Sequence, residues 1–194
     1  MSGDDVTPEE VGDLLEGYRE RLRRMVELRI DPRIRGRIDT SDVIQDAYVE
    51  VMDRLPHYRK SPDMPFYLWV RFITGQKLAQ LHRRHLGALQ RDARRDVDLE
   101  IGGAPAASSS VIASALAATG LTSPSGAAMR GEEVARLEKG LESLRPTDRE
   151  ILVLRHFEQL GNSDVARVLG LSEAAASARY WRAARRLREV LEHR

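Results

Sequence analysis

The residues with the clearest chemical role lie near the carboxyl end of the sequence, in the run NSDVARVLGLSEAAASARYWR at positions 162–182. Ala166 is small enough for two helices to approach closely, and Gly170, four residues later, permits a left-handed turn between them. Leu171 would fill that junction, and Ser172 would cap the second helix. This order of small, glycine, apolar and capping residues predicts a helix-turn-helix.

The second helix of this motif is strongly basic, with Arg179, Arg182 and Arg185 in a stretch, 174–188, that contains no Asp or Glu. In the major groove of DNA, such a helix contacts phosphates through Arg and base edges through its N-terminal half. Because the neighbouring side chains are short, we predict that Arg179 reads a base and that Arg182 and Arg185 hold the DNA backbone. The alternative is a plain αα-hairpin with a basic, solvated face.

Helical spacing gives this second helix one stripe toward the DNA and an opposite stripe toward the protein core. The predicted DNA-facing stripe begins after Ser172 and consists of Ala174, Ser177, Ala178 and Trp181. The predicted core-facing stripe consists of Ala176, Tyr180, Ala183 and Leu187. For Trp181, packing against the protein is as good an interpretation as a contact with DNA or a partner.

A second set of candidate residues lies earlier, on a helix predicted to be capped within 40–42 and to end at Pro56. Its carboxylates share one side of the helix, at Asp42, Asp46, Glu50 and Asp53. Such a face is either simply solvated or a docking surface for a basic partner.

The segment that follows, 56–65, contains three prolines and is predicted to be a loop. It places the aromatic ring of Tyr58 beside Arg59 and Lys60. An aromatic ring next to two cations suits an unstacked nucleobase flanked by phosphates, so the loop is a candidate site for single-stranded nucleic acid.

The charge of the chain changes sign along the sequence, although the formal net charge of its 194 residues is only +1. Residues 1–55 hold 9 basic and 14 acidic side chains, a net charge of −5, whereas residues 56–95 hold 9 and 2, a net charge of +7. An acidic block followed by a basic one indicates either two surfaces with different partners, of which the basic one is a candidate polyanion surface, or a pair of solvated helix faces.

The elements that position these residues are predicted to be helical, because apolar side chains recur at three- and four-residue steps and hardly anywhere alternate. The predicted helices span 8–28, 40–55, 66–95, 137–144, 146–157, 162–170 and 172–191. Residues 102–126 are rich in Ala, Ser, Gly and Pro and carry no charge, which is typical of a linker. The predicted fold is therefore all-α, with a helical bundle at 8–95, a flexible linker at 96–131 and a second bundle at 132–194.

Composition excludes several classes of protein. The chain has no cysteine, no run of about 18 apolar residues and an acidic N-terminus, so we expect a cytoplasmic protein without disulfides or a membrane span. No Ser/His/Asp set, phosphate-binding glycine loop or carboxylate pair favours an enzyme, a cofactor or a small-molecule substrate. His82 and His85 lack a third ligand, so no metal is expected and both rings should be solvated or face phosphate.

Three segments, in order, resemble the bacterial RNA polymerase sigma factors of the extracytoplasmic-function group. Residues 42–55, DVIQDAYVEVMDRL, resemble the polymerase-binding helix of region 2.2. The spacing of Phe66, Trp69, Val70, Ile73 and Gln76, followed by Leu78, Arg83 and Arg84, resembles regions 2.3 and 2.4. The segment 144–155 and the helix-turn-helix resemble region 4.

The resemblance implies a non-catalytic subunit that directs core RNA polymerase to promoter DNA, with an anti-sigma factor as a further candidate partner. It implies polymerase binding by Asp42, Gln45, Asp46, Glu50 and Asp53. It implies that the −10 element is opened and held by the basic half of the first bundle: Tyr58, Arg59, Lys60, Trp69, Lys77, Arg83 and Arg84. For Trp69, packing in the core of the bundle is the simpler alternative. The helix-turn-helix would hold the −35 element. The alternative function is a conventional helix-turn-helix repressor or activator, which binds a palindrome as a dimer without polymerase.

Overall fold

The computed structural model describes residues 8–87, 100–118 and 127–192. The helices in these ranges are α1 (Pro8–Arg29), α2 (Thr40–Lys60), α3 (Phe66–Gly87), α4 (Ser109–Ala118), α5 (Ala127–Glu142), α6 (Pro146–His156), α7 (Asn162–Leu169) and α8 (Glu173–Glu192). A 3₁₀ turn covers Arg35–Arg37, and a small antiparallel hairpin pairs β1 (Glu100–Ile101) with β2 (Ala104–Pro105). The chain divides into two compact units, Met1–Pro105 and Ala106–Arg194. The predicted all-α fold is confirmed.

The first unit packs α1, α2 and α3 around one apolar core. Met25 and Val26 of α1, Val43 of α2 and Leu78 of α3 are fully buried in one cluster. The cap of α2 is Asp39, which lies before the predicted capping run and whose carboxylate accepts a hydrogen bond from the backbone N–H of Ser41 at 2.7 Å. The third helix is described as far as Gly87, and the rest of the range predicted for it, 88–95, lies outside the described residues, as does the predicted cap at Thr7.

The prediction that Pro56 ends the second helix is wrong, because α2 continues to Lys60. Proline removes one backbone donor from the helix, but tertiary contacts hold the turn that follows. The ring of Tyr58 stacks on Trp69 with centroids 4.4 Å apart, and its hydroxyl donates to the carbonyl of Met64 at 2.7 Å. Tyr58, Arg59 and Lys60 therefore lie in the last turn of α2 rather than in a loop.

The segment expected to be a flexible linker carries regular structure over 100–118. Gly102 and Gly103 form the hairpin turn with φ of 61° and 76°, and Ala104 is fully buried in the core of the first unit. The hairpin lies against α3 at Gly75, where an added Cβ would come within 2.6 Å of the Gly103 carbonyl oxygen. Small, uncharged residues are typical of a linker, yet they also allow this close approach; residues 119–126 lie outside the described ranges.

The second unit begins with α4, which packs along α5. Ile112 and Ala113 of α4 are buried, and the buried carboxylate of Glu150 accepts the backbone N–H of Ala107 at 3.5 Å. A hydrogen bond from Arg149 to the hydroxyl of Ser109 joins the start of α4 to α6. Helix α4 is thus part of the unit that contains the helix-turn-helix.

Candidate nucleic-acid and protein interfaces

The turn between α7 and α8 has the geometry predicted for a helix-turn-helix. Gly170 adopts the left-handed conformation with φ 63°, and the backbone N–H of Leu171 donates to the carbonyl of Ala166 at 2.8 Å. These bonds satisfy carbonyls at the end of α7 in the manner of a glycine C-cap. The hydroxyl of Ser172 accepts the backbone N–H of Ala175 at 3.2 Å and so caps α8.

The two stripes of α8 differ in exposure. Ala176 and Ala183 are buried against the unit, whereas Ala174 and Ala178 are exposed. Trp181 is 66% exposed, so packing does not account for this large ring. Ser177 is half-buried at the edge of the exposed stripe. The exposed stripe of α8 is therefore apolar along its centre.

Arg179 lies where the sequence analysis does not place it. Its Nη1 donates to Oγ1 of Thr147 and to Oδ1 of Asp148, each at 3.1 Å. Both partners belong to the first turn of α6, and the Arg179 side chain is only 26% exposed. In this arrangement Arg179 fastens α8 to α6 and does not extend from the exposed stripe. Thr147 and Asp148 carry no sequence signal of this role, because only the fold brings them to α8.

The other polar side chains of α8 divide between the surface and the unit. Arg182 is exposed, and Arg185 is exposed with its Nε 3.6 Å from Glu189 on the same helix. The hydroxyl of Tyr180 lies 3.1 Å from Nε2 of His156, which joins α8 to the end of α6. Arg182 and Arg185 are therefore accessible, as a contact with phosphate requires.

The exposed face of α2 contains three of the four predicted acids and an apolar centre that was not predicted from the sequence. Asp42, Gln45, Asp46 and Asp53 are all exposed. Between them, Val49 is 61% exposed and Met52 is 40% exposed. Large apolar side chains ringed by carboxylates form a surface that suits a partner with both basic and apolar groups. We call these six residues the α2 face.

Glu50 is separate from the α2 face. Its two carboxylate oxygens lie 2.5 Å from Nη2 of Arg54 and 2.6 Å from Nζ of Lys77. The hydrogen bond from Lys77, reinforced by Arg54, holds the pKa of Glu50 below its ordinary value. The predicted polymerase-binding Glu50 and the predicted DNA-binding Lys77 are thus paired with each other across α2 and α3.

The predicted −10 residues near the start of α3 form an aromatic cluster. Trp69 and Phe66 are half-buried, and Phe66 lies 5.6 Å from Tyr58 and 5.7 Å from Trp69 between ring centroids. Tyr58 is half-buried as well, and desolvation raises the pKa of its hydroxyl. Arg59 is half-buried and Lys60 is exposed, so an aromatic stack and an exposed lysine share this end of the unit.

The carboxyl end of α3 combines exposed cations with a buried histidine. Arg83 and Arg84 are exposed, as a contact with DNA requires. The expectation of a solvated His82 is wrong: the residue is only 7% exposed, and Nε2 of its ring accepts a hydrogen bond from the backbone N–H of Asp31 at 3.4 Å. The described His, Asp and Glu residues form no cluster that could hold a metal, and no described helix is long and apolar enough to cross a membrane.

Known proteins resemble this chain in both sequence and fold. The family described as Sigma-70, region 4 matches residues 135–187. The RNA polymerase sigma factor CnrH of Cupriavidus metallidurans is 30% identical over 155 residues, which cover 79% of this chain and 74% of CnrH. The RNA polymerase sigma-E factor of Streptomyces avermitilis is 43% identical over 54 residues, 28% of this chain and 30% of that protein.

The structure also resembles the solved structure of CnrH in complex with the cytosolic domain of CnrY. The TM-score is 0.55 at 23% sequence identity, and the match covers 98% of this chain and 92% of CnrH in that structure. At this level of identity the likeness shows a shared fold.

Proposed function

Because the chain belongs to the extracytoplasmic-function group of RNA polymerase sigma factors, we propose that it binds core RNA polymerase and directs initiation at specific promoters. This family consists of non-enzymatic initiation factors, so the side chains bind and position rather than catalyse. In this proposal, residues 8–95 bind the polymerase and the −10 element, and residues 132–194 bind the −35 element. Initiation takes place in the cytoplasm, where the polymerase and the promoters are.

The observation that carries the proposal is the α2 face. A helical unit that only bound DNA would have no use for Val49 and Met52 exposed among three carboxylates. A partner with basic and apolar side chains would cover both, and the resemblance of residues 42–55 to the polymerase-binding helix supports core RNA polymerase as that partner. Asp42, Gln45, Asp46 and Asp53 remain as polar contacts, whereas Glu50 acts inside the unit through Lys77 and Arg54.

The promoter contacts divide between the two units. In the first unit, the stacked pair Tyr58 and Trp69 offers a platform for an unstacked base, with Arg59, Lys60, Arg83 and Arg84 for the flanking phosphates. Base stacking on such a platform contributes about 1–3 kcal/mol. Lys77 stabilises this part of α3 through its ion pair with Glu50.

In the second unit, the exposed stripe of α8 enters the major groove at the −35 element. Ser172, Ala174, Ser177 and Trp181 line that stripe, and Arg182 and Arg185 lie beside it. With Arg179 held by Thr147 and Asp148, the base contacts fall to the stripe itself and Arg179 sets the position of α8.

We also propose that the chain binds a protein partner other than the polymerase. CnrH has been solved with the cytosolic domain of CnrY bound to it. By analogy, an anti-sigma factor is a candidate partner for this chain. A dimeric helix-turn-helix regulator remains the alternative function, and it would bind a palindrome without polymerase.

The experiment compares two pairs of charge reversals in the full-length chain. Asp42→Arg with Asp46→Arg changes two exposed carboxylates of the α2 face, and Asp13→Arg with Glu142→Arg makes the same change of charge at exposed positions elsewhere. We expect the first pair to abolish capture of core polymerase and promoter-dependent transcription, and the control pair to leave both near the level of the unmodified chain. Equal capture by both pairs, with the helical content unchanged, would contradict polymerase docking through α2.

A further inference from the structure

An exposed group of arginines lies between α1 and α2. Arg33, Arg35 and Arg37 are all exposed, and we call the segment 33–37 the arginine turn. Ile34, between the first two, is fully buried in the same cluster as Leu78 and Leu86 of α3. A buried isoleucine flanked by exposed arginines fixes the backbone of the turn, so the cations are presented from a rigid base.

The arginine turn lies beside the basic end of α3. The backbone N–H of Asp31 is 3.4 Å from Nε2 of His82, the residue immediately before Arg83 and Arg84. Two basic segments far apart in sequence therefore meet at one end of the first unit. Arg83 and Arg84 are predicted from the sequence to contact DNA, whereas the arginine turn carries no motif that predicts a role.

The charges facing the arginine turn leave it positive. Asp31 forms an ion pair with Arg33, whose Nη2 lies 2.6 Å from Oδ2 of Asp31. The carboxylate of Asp39 caps α2. Arg35 donates to the backbone carbonyl of Glu27 at 2.9 Å, a neutral partner that leaves its charge uncompensated. Among the described residues, the side chain of Arg37 has no hydrogen-bond or ion-pair partner.

We propose that the arginine turn binds phosphates of duplex promoter DNA adjacent to the segment contacted by Arg83 and Arg84. The inference rests on the proposed function and adds a second line of phosphate contacts to it. Guanidinium groups match phosphate geometry, and their planar fork loses less conformational entropy for each hydrogen bond formed. Duplex DNA fits better than an acidic protein surface because the turn is continuous with the basic end of α3.

The test is the salt dependence of DNA binding by the full-length chain. Arg35→Ala with Arg37→Ala removes two cations of the turn, and Arg19→Ala with Arg23→Ala removes two exposed cations of α1 that are paired with Glu16 and Glu27. For the chain alone, the affinity for a random-sequence duplex is measured from about 50 to 200 mM salt. For the holoenzyme, the affinity for a promoter fragment is measured over the same range. The slope of log K against log salt should fall in magnitude by about 0.9 for each phosphate that the variant no longer neutralises.

We expect the turn variant to lower the slope by up to about two in both settings, and the α1 variant to leave it unchanged. Arg35→Lys with Arg37→Lys should leave the slope unchanged, because the slope depends on the number of positive charges and not on the guanidinium group. An unchanged slope in a folded turn variant would overturn the inference, as would loss of polymerase capture without any change in slope. If the unmodified chain fails to capture polymerase while the slope still depends on the turn, the proposed function fails and the phosphate surface stands.

Discussion

Nζ of Lys77 lies 2.6 Å from Oε2 of Glu50, and this pair joins the middle of α3 to the middle of α2. Arg54 holds the other carboxylate oxygen at 2.5 Å. The sequence predicts a different macromolecule for each member, the polymerase for Glu50 and the promoter for Lys77. In the structure the two side chains instead form an ion pair with each other inside the first unit.

Lys77→Ala should raise the pKa of Glu50 toward its ordinary value, because Lys77 is the main cause of its lowered pKa. A carboxylate with a lowered pKa in the folded state stabilises the fold above its ordinary pKa, and this contribution is lost as pH falls through the folded value. In the variant the loss of stability on acidification should be smaller, by about 1 kcal/mol or less for this partly exposed pair. Carbon-detected NMR titration of the glutamate carboxyls checks the shift. Lys60→Ala, an exposed lysine of α2, is the control; identical titration of Glu50 in both variants would contradict the assignment.

Arg179→Ala should weaken binding to all −35 sequences alike and lower the free energy of unfolding by about 1 kcal/mol, because it releases α8 from α6. The preferred −35 sequence should stay the same in a selection from random promoters. Asp148→Ala removes one of the two partners of Arg179 without touching α8 and should produce both effects in the same direction, with Thr147 left as the remaining partner. A changed −35 preference in Arg179→Ala alone would restore Arg179 as a base reader.

Trp181→Ala should change the preference for bases of the −35 element, since Trp181 is 66% exposed on the stripe of α8 that is proposed to face DNA. Loss of one direct contact with a base typically costs about 1–3 kcal/mol and relaxes the preference at one position. Stability should change little, because so exposed a ring contributes little to the core. The same selection measures this, with Arg182→Ala as the comparison that should weaken all sequences uniformly. A selected motif unaltered by Trp181→Ala would place the ring against a protein partner.

Tyr58→Ala should impair opening of the −10 element more than binding of the closed promoter complex. The ring of Tyr58 stacks on Trp69, and loss of that platform should cost the open complex about 1–3 kcal/mol. Tyr58→Phe keeps the ring and removes only the hydrogen bond to Met64, so it should retain most opening. Permanganate reactivity of promoter thymines reports the open state; equal reactivity in Tyr58→Ala and the unmodified chain would argue against the platform.

Gly75→Ala should destabilise the first unit by about 1–3 kcal/mol, as overpacking of a filled contact does. The new methyl would lie 2.6 Å from the Gly103 carbonyl oxygen and 2.7 Å from Cβ of Ala104, so the hairpin must move away from α3. Gly12→Ala in α1 meets nothing within 4 Å and should instead stabilise, by up to about 1 kcal/mol. Urea denaturation of the two variants gives the comparison, and equal stabilisation by both would show that the hairpin does not rest on α3.

Much of the architecture could be predicted from local pattern. The apolar spacing of α1, α2 and α8 defines helices because residues three and four apart share a face, whatever the rest of the fold does. The turn at Gly170 and the cap at Ser172 depend on neighbours within a few residues, and the structure has both. The acidic stripe at Asp42 and Asp46 is likewise exposed on one helix.

What only the tertiary structure decided is which partner each side chain meets. The short side chains beside it predict that Arg179 reads a base, but folding brings Asp148 of α6 within 3.1 Å of its guanidinium. Pro56 predicts the end of a helix that tertiary stacking of Tyr58 on Trp69 carries to Lys60. Residues 100–105 fall within the predicted linker, but they lie against α3 because Gly75 has no side chain to keep them away. Each of these outcomes depends on contacts between segments far apart in the chain, whose energies outweigh local preferences and leave no periodic signal in the sequence.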